Sequence, residues 1–477
     1  MRFTKTLLAA AIATTVLVGC NDDDTTNIYP VEPTPVAPTE VSIAAFNISF
    51  DHSDFAELSE VMSMTQSEQD DLIAQWENAS ISDDAELKKA EKVIQIRNIA
   101  TIIQKSRPAA VLLKEFNNDG VGEDQVALQG FRLNYLGVPQ EFEGESLEPI
   151  QFPYADSYST NTGLNSGLDL DNNGSTTDAN DAWGFGFFHG QYAFALLSQY
   201  PIDSENTRTF QSFKWKDMPG ETNVAIDCAL NDVNDTDSYC SVLPEGTTPA
   251  ENWYTDEAWE EMRLSSKNHV DATILIPTEN GESEAIHLLM SHPTPPIFDV
   301  AEATYNKSRN RAEIDFWVDY IDGADYIYDD AGVTGGLAEG EHFVVLGDLN
   351  ADPLAGDGDL TSINGLMTHD KVNQLATFGV YAPKSFGGPE CIANSECRES
   401  DVPAPEMATS TSGLRLDHVI PSATLNVVDS GVFWPATFED GRILMNDDRL
   451  TRLDTWNPGV GKNVSSDHRM VWIKLEL

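Results

Sequence analysis

The run Val344-Val345-Leu346-Gly347-Asp348-Leu349-Asn350-Ala351-Asp352-Pro353 ends an apolar stretch with an acid and an amide two residues apart. Alternation along a strand end puts Asp348 and Asn350 on one face, and Pro353 stops the strand from continuing. Other apolar runs close in the same way. Glu115 follows Ala110 to Leu113, and His292 follows Ala285 to Ser291 with Pro293, Pro295 and Pro296 fixing the turn behind it. Asn47 interrupts the apolar run Val41 to Phe50, Asp417 lies in Leu414 to Ile420, and Asp467-His468 precedes Met470 to Leu475. In a chain with nine histidines, acids, amides and imidazoles gathered at separate strand ends stand out from background. Their chemistry suits metal-assisted hydrolysis. Glu115 and Asp467 are hard oxygen ligands for a Mg²⁺-like ion, and asparagine amides can donate to a phosphoryl oxygen. A His–Asp pair supplies an oriented general base or a charge-stabilising imidazolium.

The elements that must position these groups alternate between strand and helix. Residues 54–78 read as helical, and 85–106 more clearly so, with Val93, Ile96, Ala100 and Ile103 at 3–4 spacing before Pro108. Residues 193–198 read as a further strand, and 301–321 as a helix carrying Arg309 and Arg311. Three polar stretches of weak periodicity, 117–183, 203–270 and 380–412, read as insertions. The first contains Asp169-Leu170-Asp171-Asn172-Asn173-Gly174, followed by Asp178 and Asp181. Oxygen ligands at alternate positions before a glycine resemble a calcium loop, which makes structural Ca²⁺ a second expected ion. Asn180 stands where an EF-hand has glutamate and flanking helices are not evident, so the reading is a helix-less calcium turn or an acidic surface loop.

With 477 residues and 41% hydrophobic content, the chain can bury a large core. Its net charge of −50 repels polyanions at long range and concentrates divalent cations, although local charge can differ. Residues 1–20 read as a lipoprotein signal: Arg2 and Lys5, a short apolar run, then Leu17-Val18-Gly19-Cys20, with Cys20 the expected lipidation site. Residues 21–40, rich in threonine, acids and proline, read as a tether, and 41–477 as the folded domain. The other cysteines lie in two sequence-local pairs, Cys228 with Cys240 and Cys391 with Cys397. Two small disulfide loops in an oxidising compartment are the simplest connectivity. Zinc is the weaker reading, because no CxxC or matching histidine spacing is present.

The ordered set FNI, LLKEF, SHP, GDLNAD, RLDHV and SSDHRMVW, spanning almost all of 41–477, resembles the endonuclease/exonuclease/phosphatase superfamily. Longer stretches such as GFGFFHGQYAFALLSQYPI and SHPTPPIFD are similar to a subgroup of large exported bacterial members. The resemblance implies an α/β fold, a four-layer α/β sandwich of two mixed β-sheets face to face, flanked by helices. It implies Mg²⁺ or Mn²⁺ held by Glu115, with help from Asn47 and Asp467. Asp348 would orient or deprotonate the attacking water, and Asn350 would hold the phosphate. His468, oriented by Asp417, would contact the phosphate or act as base, with His292 on the other side of the phosphorus. Lys114 departs from the pattern, standing where glutamine commonly precedes the metal-binding glutamate. Lys267, His269, Arg309 and Arg311 are candidate phosphate-side cations. The expected activity is metal-dependent hydrolysis of a phosphomonoester or phosphodiester outside the cytoplasm, on a protein anchored to a bacterial membrane through Cys20. A phosphate-scavenging nuclease and a catalytically silent surface-binding protein are the alternatives. No protein partner is expected.

Overall fold

The protein is seen here as a computed structural model that describes residues 38–51, 54–231, 238–278, 280–446 and 464–477. Cys20, the signal segment and the tether up to residue 37 lie outside the described residues. Among the described residues thirteen strands follow in chain order: β1 Glu40–Asn47, β2 Ala110–Lys114, β3 Glu141–Phe142, β4 Glu145–Ser146, β5 Tyr154–Ser157, β6 Phe194–Ser198 and β7 Arg208–Thr209 come first. They continue with β8 His269–Pro277, β9 Ser283–Ser291, β10 His342–Asp348, β11 Asp417–Pro421, β12 Asn426–Val432 and β13 Val471–Glu476.

Two mixed sheets carry the architecture. One has six strands in the order β12-β13-β1-β2-β6-β5, and the other five in the order β11-β10-β9-β8-β7. In each, one central pair is parallel, β1 with β2 and β9 with β10, and the remaining pairs are antiparallel. Strand periodicity divides β10 between two cores. Val344 and Leu346 join Ala272, Ile274, Leu288 and Met290 against the six-stranded sheet. Phe343 and Val345 instead join Leu289, Ile420, Phe316 and Trp317 beneath the helix Tyr305–Ile321. The helices Phe55–Met62 and Asp84–Ser106 place Leu58, Val93, Ile96 and Ile103 in the core of the six-stranded sheet. The result is the four-layer sandwich: helices, sheet, sheet, helices.

Several local expectations change. Residues 54–78 form two helices, Phe55–Met62 and Gln66–Glu77, because Thr65 and Glu68 make a capping box that starts a new helix. The helix expected from 301 begins at Tyr305. The strand expected from Leu414 begins at Asp417, because the Arg415 and Leu416 amides are taken by Asp352 and Thr409 side chains and not by a ladder. The polar stretches 117–183 and 203–270 supply the edge strands β5 and β7. Both expected disulfides form, Cys228–Cys240 and Cys391–Cys397, with Cα separations of 5.8 and 5.3 Å. Among the described residues no helix is long and apolar enough to cross a membrane.

Candidate functional site

Register brings the polar strand ends together. Asn47 is level with Lys114 across β1 and β2, Gly347 with Ser291 across β10 and β9, and Asp348 with Asp417 across β10 and β11. The sheets face each other, so side chains from both meet in the gap. The Asn47 amide nitrogen donates to Glu115 Oε1 and to Asp348 Oδ2, each at 3.0 Å. Its oxygen accepts from Ser49 N at 3.1 Å. That bond turns the amide's donor side toward the acids, so Asn47 bridges two carboxylates. Ser49 Oγ donates to Asp467 Oδ1 at 2.7 Å, which ties Asp467 to the same short extension of β1 as Glu115.

Three residues just past strand ends adopt left-handed backbone: Ser49 (φ 53°), Glu115 (φ 57°) and Asn350 (φ 52°). For a glutamate this conformation costs about 1–2 kcal/mol, and it persists only where the surroundings over-determine it. The Asn350 side chain donates to Pro293 O at 3.1 Å, pinning the turn that holds His292, while its own amide donates to Asp348 Oδ1 at 3.1 Å. Asp348 therefore lies between two imidazoles, with His292 Nε2 and His468 Nδ1 at 3.6 and 3.5 Å from its Oδ2.

Behind Asp348 sits a buried group. Asp417 Oδ1 receives the Lys114 ammonium at 2.5 Å, and its Oδ2 receives His468 Nδ1 at 2.7 Å and Thr409 Oγ1 at 3.0 Å. Burial disfavours charge on Asp417, but Lys114 and His468 outweigh it and hold the carboxyl well below the usual range. Burial likewise opposes charge on His468, yet Asp417 and Asp348 raise its pKa to about 10. The imidazole is therefore an imidazolium at neutral pH. Burial pushes the Asp348 carboxyl up, and its proximity to Asp417 adds to that, against His468 and Lys114. Lys114, a departure in the sequence pattern, is thus the cation that crosses from one sheet to hold Asp417 on the other.

Two sets of three acid or imidazole groups come within 4.8 Å of one another among the described residues: Asp348, Asp417 and His468, and Asp169, Asp171 and Asp181. In the first, Asp417 is saturated by Lys114, His468 and Thr409, so the set is a hydrogen-bonded charge pair facing Asp348. The all-oxygen donors that suit a hard divalent ion are Glu115 and Asp467, both tied to Asn47–Ser49. In the second set, Asp181 accepts from Leu170 N and Asp178 N, and Asn173 bridges Asp171 and Asp178.

Of the four candidate phosphate-side cations, the structure takes three away. Arg311 pairs with Glu221 at 2.7 Å and Asp315 at 3.1 Å on the outer helix. Arg309 is buried and donates to the carbonyls of Leu264, Trp183, Arg263 and Ser265. His269 sits against Phe316 and Trp317 with its Nε2 on Glu313 O, and burial lowers its pKa to about 4, so it is neutral. Only Lys267 stays near the acids. Thr409, Ser49 and Ser466 are participants the sequence reading missed. Ser466 lies directly before Asp467-His468 in the sequence, and that adjacency is its signal; its hydroxyl donates to Asn47 O and accepts from His468 N. Thr409 sits in a polar stretch with no periodic signal.

The chain is similar to solved structures of very low identity. One is an endonuclease/exonuclease/phosphatase from Beutenbergia cavernae DSM 12333, with 12% identity, 92% of this chain and 72% of that chain covered, and a TM-score of 0.42. Another is an endonuclease/exonuclease/phosphatase family protein from Leptotrichia buccalis C-1013-b, with 11% identity, coverage of 92% and 100%, and a TM-score of 0.38. A third is D. rerio TDP2 complexed with single strand DNA product, with 10% identity, coverage of 92% and 100%, and a TM-score of 0.36. No curated protein matches the chain. The sequence model of the Endonuclease/Exonuclease/phosphatase family matches residues 44–468, from within β1 to His468. The chain belongs to that family, whose members are metal-dependent hydrolases acting on phosphoester bonds.

Proposed function

We propose that this protein hydrolyses a phosphomonoester or phosphodiester outside the cytoplasm, as an enzyme anchored to a bacterial membrane through a lipid on Cys20. The observation that carries the chemistry is the buried Asp417–His468 pair set 3.5 Å from Asp348 across the gap between the sheets. A carboxylate whose charge is disfavoured by burial is a better proton acceptor than a solvated one, and an imidazolium can only donate. Asp348 accordingly takes the proton of the attacking water as its oxygen bonds to phosphorus and the ester P–O bond breaks. His468 stabilises negative charge on the phosphate, and Asp417 keeps its ring oriented and charged. Mg²⁺ or Mn²⁺ held by Glu115 and Asp467 would supply Lewis-acid charge neutralisation at the phosphate.

The exported setting is supported by the two disulfides, which persist in oxidising compartments. The net charge of −50 favours a small or lipid-like phosphoester over a polyanion. The test is purified protein with Mg²⁺ or Mn²⁺ on DNA, RNA and a panel of phosphomonoesters and diesters. Turnover of a small ester faster than nucleic acid is expected. DNA degraded faster than every small substrate would replace this reading with that of a nuclease.

A further inference from the structure

Lys267 is 6% exposed, and among the described residues its ammonium has no hydrogen-bonding or ion-pairing partner. An ammonium this little exposed with no direct hydrogen bond or ion pair is costly, so its retention asks for a reason. Its place in the fold supplies one. Lys267 lies two residues before β8, whose first residue His269 pairs with Ser291, and Ser291 pairs on its other side with Gly347. Lys267, His292 and Asp348 thus come from the neighbouring ends of three adjacent strands.

The loop carrying Lys267 is held from several sides. Arg309 donates to Leu264 O at 2.8 Å and Ser265 O at 3.0 Å. The Glu313 carboxylate accepts from Ser266 N at 2.7 Å and from Thr294 N at 2.6 Å, joining this loop to the one behind His292. Asn161 N donates to Lys267 O at 2.9 Å. Helix Tyr305–Ile321 therefore clamps the loop through Arg309 and Glu313. The carboxylates that act electrostatically on Lys267 are Glu313, Glu115 and Asp348, two of which belong to the site.

We propose that the Lys267 ammonium binds a non-bridging oxygen of the substrate phosphate, on the side of the site away from Lys114. This rests on the phosphoesterase reading. In a chain with 28 lysines and arginines against 78 acids, a cation buried beside acids but left unpaired is matched to an anion that the protein does not contain. A purely structural lysine would instead be paired, as Lys114 is with Asp417.

The test compares wild type, Lys267→Met and Lys267→Arg in the metal-loaded protein, with p-nitrophenyl phosphate and its bis ester as substrates and inorganic phosphate as competitive inhibitor. Lys267→Met should weaken phosphate inhibition about 10- to 100-fold, the loss expected for one charged hydrogen bond. Its unfolding midpoint should be unchanged or higher, because an unpaired buried charge is gone. Lys267→Arg should recover part of the phosphate affinity. A phosphate constant within about twofold of wild type in Lys267→Met overturns the proposal. So does a weakened constant with a lower midpoint in both variants, which is loop collapse. If wild type turns over no phosphoester, the phosphoesterase reading falls. Calorimetric phosphate binding to wild type and Lys267→Met then judges Lys267 by itself, and equal affinities overturn it.

Discussion

Asp417 holds two cations from the opposite sheet, Lys114 and His468, on its two oxygens. The three groups behave as a unit because Lys114 and Asp417 are fully buried and His468 is nearly so. Asp417→Asn keeps the shape but strands a buried ammonium, which should destabilise the protein by about 3–5 kcal/mol in thermal or denaturant unfolding. Adding Lys114→Met should return most of that stability without restoring turnover, since His468 would still lack its carboxylate. A double variant as unstable as Asp417→Asn would show that the pair does not act as described. His468→Ala should lower kcat by about 10²–10⁴ and should also lower the unfolding midpoint, because it removes a charge partner of buried Asp417. Kinetics and melting on the same preparations separate the two effects.

Two loops beside the site lie in close contact. A Cβ on Gly184 would come 1.8 Å from Ser266 O, so the 183–187 loop lies directly on the loop that carries Lys267. Gly184→Ala should therefore shift one loop off the other, lowering stability by about 1–3 kcal/mol and raising KM more than it lowers kcat. An unchanged melting point and KM would mean the two loops are not in close register. The acidic turn 169–181 is a separate matter. It collects Asp169, Asp171 and Asp181, and we propose structural Ca²⁺ there. Calcium should raise the unfolding midpoint of metal-stripped protein, and Asp169→Ala should abolish that rise while leaving Mg²⁺-dependent turnover intact. No calcium-dependent rise in wild type would reduce the turn to an acidic surface loop.

Over the whole molecule, buried neutral histidines set the response to acid. Burial lowers the pKa of His418 to about 3 and that of His269 to about 4, and among the described residues His418 Nδ1 has no hydrogen-bond partner to receive an added proton. Both pKa values are depressed on folding. Between pH about 6.5 and 4 the unfolded chain therefore binds more protons, and stability falls as pH falls. Each group adds about 1.4 kcal/mol per pH unit to that slope. His468 and His287, whose pKa values are raised, act in the opposite window above about 6.5, where stability declines as pH rises. His418→Gln should keep a donor for Ala351 O and flatten the acid limb of a stability–pH curve by about one such increment. An unaltered slope would show that His418 is protonated in the folded protein.

The amino-acid sequence by itself determined the strand ends and what stands on them: apolar runs closing on Asn47, Glu115, His292 and Asp348, and one opening just after His468. It also determined the two disulfide loops, because partners 12 and 6 residues apart leave little choice of pairing. Local order is legible because periodicity, capping and short-range closure act along the chain. The tertiary structure alone decided which charges meet. Lys114 and Asp417 are 303 residues apart and lie on different sheets, and nothing in their local spacing encodes that pairing. The four candidate cations looked equivalent in one dimension, and packing turned Arg311 to a surface ion pair, Arg309 to carbonyls and His269 into an aromatic core. The physical reason is that burial and electrostatics depend on distance through the folded molecule. Asp348 and Asn350 kept their place at the end of β10, and the facing sheet supplied the carboxylates and the imidazolium that give them chemistry.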